Sequence, residues 1–115
     1  MKKIIFSLIF IAIFAISTNA EDIQTQRKAF IEKLIRVGIF TKVVKPASLP
    51  HVYVDYGFYK ATVDQKKAFL NVVYVYYSTE DPSINGVVLY DGHNGKNIGT
   101  YSQLGLDLDR QGATP

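Results

Sequence analysis

The stretch from residue 64 to residue 79, DQKKAFLNVVYVYYST, holds the densest apolar run outside the N-terminus and constrains the fold most. Apolar side chains recur there at the three- and four-residue intervals of one helix face: Phe69, Val72, Val73 and Tyr76. Asp64 precedes the run and is suited to cap the first turn. We therefore predict a helix packed between two partners, one of them a sheet. A strand over residues 72–77 is the alternative, because Val and Tyr favour extended backbone.

The first twenty residues have the layout of a bacterial secretory signal peptide. Lys2 and Lys3 form a basic start, residues 4–16 are apolar except for Ser7, and a Thr-x-Ala sequence ends at Ala20. This layout predicts a signal peptide over residues 1–20, cleavage after Ala20, and a periplasmic or secreted protein. The apolar run is short for a bilayer span, which takes about 20 residues. Membrane attachment is therefore expected only if cleavage fails.

Cleavage would leave a small chain with nearly balanced charge. Removing Lys2 and Lys3 leaves eleven basic and ten acidic residues, a net charge of about +1. This balance does not favour a nucleic-acid partner. The chain has no cysteine, so a disulfide scaffold is excluded. We expect residues 21–110 to form a single domain held by packing alone, and residues 111–115 to form a flexible tail.

The first half of the chain predicts a helix, a connector and a strand. Residues 21–37 place apolar side chains on one helix face, and Gly38 supplies a left-handed stop. Residues 41–50 contain two prolines and are predicted to be a connector. Residues 51–58 alternate between apolar and polar, which indicates a half-buried strand with a bulge or end at Gly57.

The second half predicts a hairpin after the central helix. Strands over residues 87–90 and 98–102 flank a glycine-containing turn at residues 91–96, and residues 104–108 allow a last edge strand. The predicted fold class is α+β, with two helices on one face of a mainly antiparallel sheet of three to four strands. A strand-helix-strand step around the central helix would add one parallel pair.

None of the short motifs completes a metal or phosphate site. Gly92 and Gly95 are separated by two residues before Lys96, whereas a phosphate-binding loop needs four. The segments that start at Asp81 and Asp107 begin like calcium loops but lack the closing glutamate. Zinc needs three or four convergent ligands, and the chain has two histidines. We therefore expect no metal and no cofactor.

One histidine offers a catalytic alternative. His51 lies on the polar side of the predicted strand near Tyr53 and Asp55, and such neighbours could orient an imidazole as a general base. The alternative function is a small hydrolase or lyase that uses His51 as base, helped by Asp55 or a tyrosine. A histidine in this position is more often a solvated polar residue, so we expect no catalytic residue and no enzyme. His93 is expected at the exposed tip of a turn.

Tyrosine is the unusual feature of the composition, with eight in the chain. A tyrosine offers rigid contact area and a hydroxyl, so it is favoured at interfaces. We expect Tyr56, Tyr76 and Tyr90 to fill the core. The candidate binding residues are His51, Tyr53, Tyr59 and Tyr77.

Three segments give most of the chain a layout that resembles small exported proteins of Gram-negative bacteria whose function is unknown. They are Leu49-Pro50-x-Val52-x-Val54, the Lys66-containing helix that ends Val73-Tyr74-x-Tyr76-Tyr77, and Asp91-Gly92-x-x-Gly95-Lys96-x-Ile98-Gly99. The resemblance implies no activity, and no site residue carries over from it. The predicted function is a non-catalytic protein-binding module, such as an inhibitor, an immunity-type protein or an accessory protein of an envelope complex. Its partner is expected to be another protein, bound by exposed tyrosines and a sheet edge.

Overall fold

The computed structural model describes residues 20–108 and shows three helices and a five-stranded sheet. In chain order the elements are α1 (Ala20–Arg36), β1 (Phe40–Val44), β2 (His51–Val54), α2 (Tyr56–Lys60), α3 (Val63–Glu80), β3 (Val87–Asp91), β4 (Asn97–Ser102) and β5 (Gly105–Leu108). Residues 1–19 of the predicted signal peptide and the predicted tail lie outside the described residues. Within residues 20–108, no helix is long and apolar enough to cross a membrane.

The strands lie side by side in chain order, β1 to β5. β2 and β3 are parallel, and the other three neighbouring pairs are antiparallel. The predicted α+β class is confirmed, together with a parallel pair joined through the central helix. The predicted counts were too low, since the structure has three helices instead of two and five strands instead of three to four. The additional elements are β1 and α2.

The central stretch forms α3, so the alternative strand over residues 72–77 is wrong. The helix begins with a reciprocal capping box: Thr62 Oγ1 accepts from the Gln65 amide at 3.2 Å, and Gln65 Oε1 accepts from the Thr62 amide at 3.0 Å. Asp64 is therefore not the cap, because Thr62 is the extended residue at the boundary. Asp64 lies in the first turn, where its charge suits the helix dipole.

As predicted, α3 packs between two partners, α1 on one side and strands β3 and β4 on another. Gln24 Nε2 of α1 donates to the Tyr76 carbonyl of α3 at 2.9 Å. The buried residues of α3 are Lys66, Phe69, Leu70, Val72 and Val73. Lys66 keeps its Nζ 5.5 Å from the centre of the Phe58 ring, a cation–π contact that offsets part of the cost of its burial. Desolvation lowers the pKa of Lys66.

Residues 40–44 pair with β2, so the predicted connector over residues 41–50 is wrong in its first half. Phe40 is fully buried and Val43 half-buried, and these two side chains anchor β1 to the core. A register shift between Phe40 and Lys42 marks a bulge that breaks the alternation expected of a strand. That bulge and the nearby prolines explain why the sequence pattern indicated a connector.

The strand predicted over residues 51–58 ends at Val54. Asp55 caps α2 there, because its Oδ1 accepts from the Tyr56 amide at 2.7 Å. Gly57 lies in α2 and is not a bulge; its amide donates to the Gly38 carbonyl at 2.9 Å. A Cβ on Gly57 would lie 2.6 Å from that same oxygen, so the close approach of the two segments requires glycine.

The hairpin predicted for the C-terminal part of the chain is confirmed. β3 and β4 flank the turn, and β5 is the expected edge strand. The predicted stop at Gly38 is also present, since Gly38 has φ of 84° and the Ile39 amide donates to the Leu34 carbonyl at 2.9 Å. Apolar residues of α1, α2, α3 and alternate strand positions form one core cluster. Within residues 20–108 no helix packs on the opposite face of the sheet, which we term the open face.

Candidate binding surface

Aromatic side chains lie on the open face on β2 and β3, and a lysine lies beside them on β1. In β2, Val52 and Val54 are fully buried, whereas His51 and Tyr53 alternate with them and are half-buried. The register of the sheet places Tyr53 beside Tyr90 of β3 and beside Lys42 of β1. These residues therefore lie next to one another on neighbouring strands.

The four side chains make a continuous series of ring contacts, which we term the aromatic strip: Lys42, Tyr53, Tyr90 and His51. The rings of Tyr53 and Tyr90 stack with centroids 5.0 Å apart and an interplanar angle of 19°. His51 lies 5.0 Å from Tyr90 at a tilt of 48°, and the Lys42 Nζ lies 4.5 Å from the Tyr53 centroid. These contacts restrict the rotamers before any ligand arrives.

The central ring of the strip, that of Tyr53, has a neighbour on each side. Lys42 approaches Tyr53 from β1 and Tyr90 approaches it from β3, so the two neighbours cover opposite sides of its ring. A flat ligand such as a nucleobase needs an uncovered face on which to stack. The central ring of this strip does not supply one. On β4 and β5 the open face continues with Thr100 and Asp107, which are shorter and exposed.

A second group of side chains lies at the carboxyl ends of the parallel strands β2 and β3. Tyr59 of α2 donates its hydroxyl to Asp91 Oδ2 at 2.6 Å. Asp91 Oδ1 accepts from the amides of His93 and Asn94 at 2.7 and 3.0 Å. Burial of Asp91 opposes ionisation, but the hydrogen bonds from Tyr59 and the two amides outweigh it and lower the pKa of the carboxyl. Asp91 thus fixes the turn that carries His93.

His93 pairs with Asp55 in this group. Its Nε2 lies 2.8 Å from Asp55 Oδ1, and its ring stacks on Tyr56 with centroids 4.3 Å apart and an interplanar angle of 15°. His93 is 43% exposed, as expected for the tip of a turn. Asp55 was the predicted helper of His51, but in the structure it hydrogen-bonds His93, while His51 contacts the Tyr90 ring.

The four predicted binding residues lie in three places. His51 and Tyr53 share the aromatic strip. Tyr59 is half-buried and bonded to Asp91, at the carboxyl end of the parallel strands. Tyr77 is half-buried in α3, in edge contact with Tyr76 at 5.1 Å. Burial, followed by the nearby Tyr76 and Glu80, raises the pKa of Tyr77.

Sequence reasoning missed two members of the strip. Lys42 was assigned to a connector, and Tyr90 was assigned to the core with Tyr56 and Tyr76. Tyr90 is half-buried on the open face, and Tyr56 is 62% exposed. Tyr76 is half-buried against the core, which agrees with the prediction. Strict alternation through β3, with Val87, Leu89 and Asp91 facing inward, was the signal that would have turned Tyr90 outward.

The part of the chain that the structure describes has no group of side chains that could bind a metal ion. No three histidine or carboxylate side chains converge there as a metal would require. No protein-family model, curated protein or solved structure matches the chain. The function is therefore inferred from the surface and its chemistry.

Proposed function

We propose that this chain is a small exported protein that binds another protein, without catalysis, through its aromatic strip. The observation that carries the proposal is the stacked pair Tyr53 and Tyr90 on the uncovered face of the sheet. A sheet face that serves only as a solvated surface does not need large stacked rings. An inhibitor, an immunity-type protein or an accessory protein of an envelope complex would each use such a surface.

The strip suits a protein interface for two physical reasons. Tyrosine combines large apolar area with a hydroxyl, and it is enriched among residues that dominate binding energy. The contacts of Tyr53 with Lys42 and Tyr90 hold its ring in place before binding. Less side-chain entropy is then lost when a partner docks, and each immobilised flexible side chain would otherwise cost about 1 kcal/mol.

Export belongs to the same proposal. The N-terminal pattern favours cleavage after Ala20 and release into the periplasm or the exterior. Mass spectrometry of the protein from its native host measures the N-terminus directly. We expect a chain that starts at Glu21, and a chain that starts at Met1 would overturn this part.

Affinity capture from envelope extracts tests the binding proposal. The bait is compared with a Tyr53→Ser/Tyr90→Ser variant and with Tyr56→Ser, which removes an exposed tyrosine outside the strip. We expect a specific protein to be recovered with the native chain and with Tyr56→Ser, and to be lost with the double variant. Recovery that does not depend on Tyr53 and Tyr90 would contradict the proposal.

The pair of Asp55 and His93 favours a second candidate, a small hydrolase or lyase. A carboxylate bonded to one imidazole nitrogen orients the ring as a general base requires. Turnover of a substrate that is lost in His93→Ala would support this function. Loss in His51→Ala instead would support the base predicted from the sequence.

A further inference from the structure

Strand β1 forms one free edge of the sheet. It is the first strand in the sheet order and pairs only with β2 among the described strands. Its outer backbone groups can therefore accept another strand, as in binding by strand addition. The bulge between Phe40 and Lys42 and the missing amide of Pro46 limit regular pairing to residues 42–45.

The outer flank of α1 lies beside this edge. Gln24 faces α3, because its side chain bonds the Tyr76 carbonyl. Lys33 follows nine positions later and thus lies about half a turn around the helix, on the side away from α3. A shallow groove runs along that side and is lined by Gln26, Ala29, Phe30, Lys33 and Arg36. Since α1 packs on β1, the groove and the free edge face the same side of the molecule.

This side of the molecule is basic. Between Glu32 and Asp55 the chain has no acidic residue, and its basic residues there are Lys33, Arg36, Lys42 and Lys45. All four are exposed. Within residues 20–108 none of them forms an ion pair; Lys42 lies over Tyr53, and Lys45 Nζ donates to the Ala47 carbonyl at 3.0 Å. Hydrogen bonds with Ser83, together with the nearby charge of Lys45, lower the pKa of Asp81, so Lys45 shares its charge with that carboxylate. Lys33 and Arg36 on the α1 flank therefore carry most of the charge offered to a ligand.

We propose that the partner contributes an extended acidic segment that pairs with β1 as a sixth strand, next to the aromatic strip. This inference rests on the proposed protein-binding function and names the chemistry of the partner. Carboxylates on alternate positions of the segment line one face of the added strand, where they would meet the cations of the α1 flank. Pairing of β1 with a second copy would bring two copies of Lys42 together, and this repulsion opposes self-association.

A free strand edge selects a polypeptide over other anions. Nucleic acids and anionic membranes would respond to the cations but would leave the backbone of β1 unpaired. Protection of the β1 amides from hydrogen exchange therefore separates strand addition from simple charge attraction.

The test uses the exported protein and three probes: a ten-residue peptide of alternating Thr and Glu, its Thr–Lys counterpart, and a thymidine oligonucleotide of ten bases. We expect the Thr–Glu peptide to bind at least about tenfold more tightly than the Thr–Lys peptide. We also expect it to slow hydrogen exchange in residues 42–45. Binding without that protection, or equal binding of the oligonucleotide, would overturn the inference.

Charge reversal supplies the matched comparison. A triple variant, Lys33→Glu/Arg36→Glu/Lys45→Glu, is set against a control with the same change in net charge, Lys28→Glu/Lys67→Glu/Lys96→Glu. Circular dichroism checks that both are folded. We expect the first variant to lose the Thr–Glu peptide and the captured partner, and the control to keep both. A partner that is kept by the first variant but lost by Tyr53→Ser/Tyr90→Ser overturns the acidic-segment inference and leaves the proposed function standing.

Discussion

The hydroxyl of Tyr59 donates a 2.6 Å hydrogen bond to Asp91, and this bond joins α2 to the end of β3. Asp91 is only 8% exposed, so its carboxylate depends on the three donors that surround it. Two of the three donors are amides of the turn that follows β3. The same carboxylate therefore holds the turn that places His93 against Asp55.

Removal of the Tyr59 hydroxyl tests the strength of this link. We expect Tyr59→Phe to lower the free energy of unfolding by about 1.5 kcal/mol, the size of one hydrogen bond to a charged group. Chemical denaturation measures the change. Tyr53→Phe is the control, because the Tyr53 hydroxyl makes no hydrogen bond within the described residues. Equal losses in both variants would contradict the role given to Tyr59.

Asp91 should also make the free energy of unfolding depend on pH in the acidic range. Its pKa is lowered in the folded protein, so its contribution to stability is present above the unfolded pKa of about 4 and is lost as pH falls through the folded value. In Tyr59→Phe the folded pKa should rise, and the stabilising contribution should shrink and fade at a higher pH. The denaturation midpoint of each protein is measured between pH 2 and pH 7, at pH values on the order of one unit apart. The pH at which each protein loses the contribution of Asp91 gives the shift. Parallel curves for the two proteins would contradict it.

Two substitutions at the start of α3 compare the residue that caps the helix, Thr62, with a charged residue of the first turn, Asp64. We expect Thr62→Ala to cost about 1 kcal/mol, since the Gln65 amide loses its acceptor. Asp64→Asn should cost only a few tenths, because it removes a charge near the helix dipole and no cap. Thermal unfolding of the two variants gives the order. A larger loss for Asp64→Asn would restore Asp64 as the cap.

A substitution at Gly57 tests the contact between α2 and Gly38, in the turn that follows α1. We expect Gly57→Ala to cost about 3 kcal/mol, because the new Cβ would lie 2.6 Å from a backbone carbonyl that cannot move alone. Gly95→Ala is the comparison, since Gly95 has φ of 75° but open space around it. That variant should cost about 1 kcal/mol, for the backbone conformation only. Unfolding free energies in denaturant measure both costs, and an equal cost would remove the steric argument.

The helices and the hairpin were predictable because their signals are local. The spacing of Phe69, Val72 and Val73 and the glycine at position 38 each act within a few residues. β1 was missed because a bulge interrupts its alternation, and its pairing with β2 is set by tertiary packing. α2 was missed because Asp55 can either continue a strand or cap a helix, and both alternatives bury Phe58. They differ at Tyr56, which a strand would bury and which is exposed in the structure.

Two of the four residues of the aromatic strip could be predicted from the sequence. His51 and Tyr53 follow from alternation within one strand. Their contacts with Lys42 and Tyr90 depend on which strands become neighbours, and a single sequence does not state that order. The pairing of Asp55 with His93 spans 38 residues and depends on the parallel register of β2 and β3. Long-range pairing is thus the information that the local pattern lacks.

Photo-crosslinking in the native host shows directly which face of the protein contacts its partner. A photoreactive side chain is placed at Thr100, exposed on the open face beside the strip, and separately at Lys67, exposed on α3. We expect Thr100 to give a crosslink to one defined protein and Lys67 to give none, and we expect Tyr53→Ser/Tyr90→Ser to abolish the crosslink from Thr100. A crosslink from Lys67 with none from Thr100 would place the interface on the helical layer and contradict binding through the aromatic strip.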